Sequence, residues 1–163
     1  MSAAAEFIER RDLFIGGGFQ PSRASATIEV RSSSTEAVLG RVPDASTADV
    51  DAAVASARRG AADWGTSTLT RRMQVLFAFR ELLSANREEL AAIITAEHGK
   101  VLSDALGEVT RGMEVVDFAC GSAHLLKGSF SENVSGGVDV YSLRQPLGVV
   151  AIISPFNFPA MVP

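Results

Sequence analysis

The residues best suited to chemistry are Ser154-Pro155-Phe156-Asn157-Phe158-Pro159, in which an amide side chain stands between two prolines. Pro155 and Pro159 each lock one φ angle and bias the residue before them toward extended backbone, so Asn157 is held on a stiff support. A neutral amide N–H presented in this way stabilises an oxygen that becomes negative during addition to a carbonyl, and it does so without changing the charge of the resting site. The residues alone leave a second reading open, in which Asn157 serves only the turn.

Other candidates have simpler explanations. Cys120, the one cysteine of the chain, has the chemistry to attack an aldehyde or thioester, but it falls on an apolar helical stripe, where a buried thiol is unreactive and packs. His98 and His124 have no cysteine or acid at metal-ligand spacing, so no metal site is expected. Gly16-Gly17-Gly18 lies between strand-like segments rather than between a strand and a helix, which makes it a turn and not a phosphate loop. Glu97-His98-Gly99-Lys100 reads as a helix end, with Gly99 left-handed and Lys100 near the negative end of the helix dipole.

The elements that would position the loop follow from periodicity. Leu13-Phe14-Ile15, Ala26 to Val30 and Ala37 to Val42 alternate like two or three short strands. Ser46 and Asp49 have capping-box spacing, and Val50, Val54, Ala57, Ala61 and Trp64 then recur at helical spacing to about Gly65. A second helix is expected over 68–85 with Leu69, Met73, Leu76, Phe79 and Leu83 as its stripe. Asn86 is placed to cap a third helix that carries Leu90, Ile93 and Ile94 and ends at Gly99. A fourth, over 103–127, turns Leu106, Val109, Met113, Val116, Cys120 and Ala123 inward. Its other side carries Glu108, Arg111 and Glu114, a pattern expected on a solvated face. Val138 to Arg144 suits a strand with one exposed face. Val149-Val150-Ala151-Ile152-Ile153, apolar on both faces, predicts a strand covered on both sides, and the Asn157 loop would sit at its carboxyl end, where open α/β sheets bind ligands.

Composition narrows the function classes. With 47% hydrophobic and 21% charged residues over 163 positions, the chain is of ordinary globular type. A net charge of −4 without any Lys/Arg cluster argues against nucleic acid or anionic membrane as partner. A single cysteine excludes an internal disulfide framework. The first ten residues carry acids where a signal peptide carries bases, and no apolar run approaches the roughly 20 residues of a membrane span. A cytoplasmic location is expected.

Taken together, Glu97-His98-Gly99-Lys100, Asp104-Ala105-Leu106-Gly107-Glu108-Val109, Arg144-Gln145-Pro146-Leu147-Gly148-Val149-Val150 and Pro155-Phe156-Asn157-Phe158-Pro159 resemble the N-terminal part of the aldehyde dehydrogenase superfamily. Arg111 to Cys120, Leu125-Leu126-Lys127-Gly128 and Gly137 to Ser142 look most like its CoA-acylating methylmalonate-semialdehyde dehydrogenase branch. The resemblance implies an α/β fold of short strands, four helices, part of the oligomerisation strands and the first strand of a Rossmann-like NAD domain. It divides the chain into an arm (1–12), strands and helices of the NAD-binding domain (13–128), an oligomerisation region (129–148), and the first strand and loop of the Rossmann-like core (149–163). It further implies oxidation of methylmalonate or malonate semialdehyde with NAD as cofactor and CoA as co-substrate in a homo-oligomer. Family members attack the aldehyde with a cysteine thiolate, pass hydride to NAD and release the thioester to CoA. By this resemblance Asn157 is the catalytic oxyanion donor, and Ser154 and Phe156 bind the cofactor on its nicotinamide-ribose side.

The departures matter as much. The family's nucleophilic cysteine, general-base glutamate, cofactor-binding lysine and glycine-bearing helix start have no counterpart up to Pro163, and Arg31-Ser32-Ser33-Ser34-Thr35 replaces the family's usual Asn-Pro-Ala-Thr-like turn. The chain is therefore expected to be a fragment inactive by itself. The alternative is a non-catalytic remnant that associates with dehydrogenase subunits through the edge at 138–144.

Overall fold

The computed structural model describes residues 12–163. The arm at 1–12 falls, except for Asp12, outside the described residues. Two antiparallel hairpins come first: β1 (Leu13–Ile15) with β2 (Gly18–Gln20), and β3 (Thr27–Arg31) with β4 (Val38–Pro43). Four short strands thus stand where two or three were expected. Gly16 and Gly17 take φ of +67° and +86°, the positive pair that a two-residue hairpin turn needs. Phe14 and Phe19 face each other across this hairpin edge-on, with ring centroids 5.1 Å apart.

Four helices follow: α1 (Thr47–Thr66), α2 (Leu69–Ala85), α3 (Arg87–His98) and α4 (Leu102–Cys120). The Ser46–Asp49 capping box forms as its spacing predicts: the Asp49 N–H donates to Ser46 Oγ (3.3 Å) and the Ser46 N–H to Asp49 Oδ2 (2.9 Å). The same carboxylate accepts the Ser22 hydroxyl (2.7 Å) and the Arg23 N–H (3.1 Å), fastening the chain between the hairpins to the start of α1. These bonds, the Ser22 hydroxyl first, hold the Asp49 carboxyl far below its usual range. Asn86 precedes α3, but its side chain donates to the Leu82 carbonyl (2.8 Å), so it closes α2 rather than opening α3. Gly99 ends α3 with φ +81°, as expected. The α4 helix ends seven residues short of the expected 127: the Gly121 N–H bends back to the Phe118 carbonyl (3.1 Å), and a short 3₁₀ turn, Ser122–His124, replaces the last turns.

The core is the α3–α4 contact. Ala91 and Ile94 meet Ala105 and Val109, with Leu90, Leu106, Met113 and Ala160 around them. Two alanines at the crossing allow the helix axes to approach closely. Cys120 is buried on α4, in line with packing. By contrast α2 buries no residue completely, and on the α1 stripe Val50, Val54 and Trp64 are all exposed. The tip of the second hairpin meets the end of α3: Ser33 donates its N–H (3.0 Å) and hydroxyl (3.1 Å) to the Glu97 carbonyl, and the hydroxyl also reaches His98 O. The turn at Arg31 to Thr35 thus supplies, through Ser33, a cap for carbonyls that a helix end leaves free.

Beyond the helices, β5 (Phe130–Ser135) and β6 (Val138–Tyr141) form a third hairpin exposed on every residue. Its β5 half was not legible in the pattern. The hairpin's base is tight: a Cβ on Gly128 would lie 1.8 Å from the Ser142 carbonyl oxygen, a distance no side chain tolerates. Val149 to Ile153, expected as a strand covered on both faces, forms no strand, and Ile153 is 99% exposed. A ladder needs a neighbour, and no described strand lies alongside. None of the described helices is long and apolar enough to cross a membrane.

So small a core beside so much exposed apolar surface predicts that the isolated chain self-associates and melts broadly. Calorimetry with light scattering checks this; a sharp cooperative transition of a monomer would contradict it.

Candidate functional site

The site begins with a carboxylate that sequence reasoning misplaced. Glu108, expected on a solvated face with Arg111 and Glu114, is buried, with its side chain only 1% exposed, whereas the other two are exposed. The charge spacing was read correctly, but the outer side of α4 at this turn is overlaid by the loop at 154–161. Glu108 stands three residues after Ala105 and directly before Val109, both fully inside the core, so it sits at the margin of the buried stripe. That adjacency was the available signal.

The carboxylate gathers three donors. Its Oε1 accepts the backbone N–H groups of Ala160 (2.8 Å) and Met161 (3.2 Å), and its Oε2 accepts Lys100 Nζ (2.6 Å). Burial pushes the Glu108 carboxyl up; the Lys100 hydrogen bond, the two backbone N–H groups and the Lys100 charge outweigh that and hold it below its ordinary value. Lys100, read from sequence as a helix-dipole cation, instead bridges to the loop. Its ammonium donates to the Asn157 backbone carbonyl (3.2 Å) and lies 4.6 Å from the Phe158 ring centroid, a cation–π distance. Gly112 lets the loop lie this close, since a Cβ there would come within 3.3 Å of Met161 Cα. The Val162 N–H closes the loop on the Phe158 carbonyl (3.3 Å).

Asn157 emerges on the solvent side of this attachment. Its side-chain amide has no hydrogen-bond partner among the described residues. With Lys100, Asp104, Glu108, Arg111 and Phe158 it lines a cleft of about 420 Å³. Arg111, also missed from sequence as a site residue, forms no ion pair with a described residue. Ser154, half-buried, and Phe156, 88% exposed, do not line this cleft; they precede Asn157 along the same loop. Cys120 stands twelve residues beyond Glu108 on α4, about 18 Å along the axis, too far to serve the Asn157 cleft. Among the described residues no cluster of ligating side chains could hold a metal ion.

Four helices and short strands, with an exposed amide on the loop that follows them, form a mixed α/β unit. The chain belongs to the aldehyde dehydrogenase family, whose model matches residues 19–163. Its relatives include the acylating methylmalonate-semialdehyde/malonate-semialdehyde dehydrogenase of Homo sapiens mitochondria, 44% identical over 151 residues that make up 93% of this chain and 28% of that protein. The acylating methylmalonate-semialdehyde dehydrogenase of Arabidopsis thaliana mitochondria is 46% identical over 91% of this chain and 24% of its own length. Among solved structures, methylmalonate-semialdehyde dehydrogenase from Oceanimonas doudoroffii superposes with a TM-score of 0.87 at 38% identity, covering 96% of this chain and 31% of that one. An NAD-dependent aldehyde dehydrogenase from Sinorhizobium meliloti gives 0.88 at 32% identity, covering 98% and 32%. The chain therefore spans under a third of the length of these relatives.

The Glu108 geometry has a pH signature. Its folded value lies below the ordinary 4.5, so the stabilisation is complete above 4.5 and is lost as pH falls through the lowered value. Lys100 faces the carboxylate from the end of α3, and Asp104 and Arg111 line the same cleft. Hydrogen-exchange protection of the Ala160 and Met161 amides, corrected for intrinsic rates, is expected to be constant from neutral pH down to the ordinary 4.5 and to be lost only on further acidification.

Proposed function

We propose that this chain supplies the N-terminal portion of an NAD-dependent, CoA-acylating aldehyde dehydrogenase that acts on methylmalonate or malonate semialdehyde. The observation that carries the reading is the Asn157 amide at the mouth of a cleft that also holds Arg111, neither side chain having a hydrogen-bond or ion-pair partner among the described residues. When a nucleophile adds to an aldehyde, the carbonyl oxygen gains negative charge. The Asn157 NH₂ donates to that oxygen from a support already rigid, so little reorganisation is needed as the charge develops. Both semialdehydes carry a carboxylate as well as the aldehyde, and Arg111 is the cation available to it. The Lys100 charge is already matched by Glu108. Asp104 lies seven residues earlier on α4, about 10 Å along the axis, so it does not cancel Arg111 at close range.

Ser154 and Phe156 are the residues here that would hold NAD. A half-buried hydroxyl and a ring left 88% exposed fit a cofactor with a polar ribose and a flat apolar face. NAD, when bound, supplies the hydride acceptor; CoA takes the acyl group as co-substrate. By itself the chain is inactive in this reading, because its one thiol, Cys120, is buried away from the cleft. Homo-oligomer formation belongs to the same proposal, with the exposed β5–β6 hairpin as contact surface. So does a cytoplasmic location, although the named animal and plant relatives are mitochondrial proteins. The same hairpin favours a second reading, that of a non-catalytic remnant that binds dehydrogenase subunits.

The test is a full-length hybrid in which residues 13–163 replace the matching stretch of the human relative. It is expected to form NADH with methylmalonate semialdehyde and CoA, whereas the chain alone forms none. NADH formation by the chain alone would overturn its inactivity; an inactive but folded hybrid would overturn the assignment. In the hybrid, Asn157→Ala is expected to lower kcat by about 100-fold or more. Arg111→Ala should raise KM for the semialdehyde by about 10- to 100-fold and leave an aldehyde without a carboxylate nearly unaffected.

A further inference from the structure

We infer that Glu108 and Lys100 are positioning residues for Asn157, a role that rests on the dehydrogenase reading and deepens it. Two prolines stiffen the loop internally, but they do not fix it relative to the helices. That task falls to a relay of polar contacts. Glu108 on α4 takes the N–H groups of Ala160 and Met161 on one oxygen and Lys100 Nζ on the other, and Lys100 in turn holds the carbonyl of Asn157 itself. A hydrogen bond to the Asn157 carbonyl sets the plane of its peptide, and with it the direction of its Cα–Cβ bond. The side-chain amide is thereby aimed without being used. The ammonium over the Phe158 ring fixes the next residue as well.

Stability alone gives little reason for such a relay. A buried ion pair is often no better than apolar residues of similar volume, and apolar packing is already present here in Ala160 against the α3–α4 core. What apolar packing does not supply is directional hold on one carbonyl. The relay crosses from the end of α3 to the middle of α4, so it references Asn157 to the buried α3–α4 core.

The test uses the hybrid dehydrogenase. Glu108→Ala and Lys100→Met are each expected to lower kcat by about 100-fold, the scale set by misplacing a reacting group by about 1 Å, with KM for NAD unchanged. In an Asn157→Ala background the same substitutions should cost almost nothing further, because they act through the missing amide. A merely structural role would give equal losses in both backgrounds, and that result overturns the inference. Should the unsubstituted hybrid fold but form no NADH, the dehydrogenase reading fails, and exchange at the loop still reports on the relay. Ala160 and Met161 amides should exchange faster in both variants than in the parent, in the hybrid and in the 163-residue chain alike. Equal exchange would overturn the relay itself.

Discussion

A carboxylate removed from water has to find donors, and in this molecule the requirement on Glu108 organises everything around the loop. An ionised group at 1% side-chain exposure would cost several kcal/mol if left unpaired. It is satisfied by one ammonium and two backbone N–H groups, which come from opposite ends of the sequence separation between Lys100 and Met161. Satisfying the charge therefore forces the loop onto α4. The glycine at 112 makes room for the contact, and Ala160 reaches the core because the loop is drawn down. Neither hydrophobic pattern nor turn preference supplies that instruction.

This explains what sequence reading could recover and what it could not. Features governed by neighbours along the chain were legible: the capping box of Ser46 and Asp49, the left-handed Gly99, and the paired glycines of the first turn. So was the buried Cys120, because a helical stripe is itself a local pattern. Features decided by a distant partner were not. Glu108 looks like any surface acid until the loop arrives. Asn86 had two helix ends to choose from, and geometry gave its side chain to the earlier one. Val149 to Ile153 carries the composition of a buried strand, yet composition states what a segment requires, not whether neighbours are present. The early end of α4 reflects a competition within one turn, where the Gly121 N–H bends back to the Phe118 carbonyl before the apolar pattern runs out. As for the candidate site, the prolines that flank Asn157 were legible, whereas the Glu108–Lys100 attachment beneath the loop and the nearby Arg111 were not.

The surface repeats the theme at larger scale. Among the described residues the α3–α4 contact is where apolar side chains disappear from solvent together, while α1, α2 and the last hairpin leave large apolar residues exposed. Exposed apolar surface of this extent normally marks places where other surfaces seat. A family whose named relatives are more than three times as long provides a natural source for such surfaces.

Ser33 gives the hairpin tip an unexpected mechanical standing. It is fastened to the carbonyls of Glu97 and His98, the last two residues before Gly99 turns left-handed and Lys100 begins its reach toward the loop. A Cβ on Gly99 would come within 3.2 Å of the serine cluster, so there is little slack at the joint. The hairpin therefore works as a tailstock. It steadies the end of a helix just beyond which Lys100 grips the Asn157 loop, and a segment that looks like idle variation at the edge of the sheet becomes part of the mounting of a loop more than a hundred residues later.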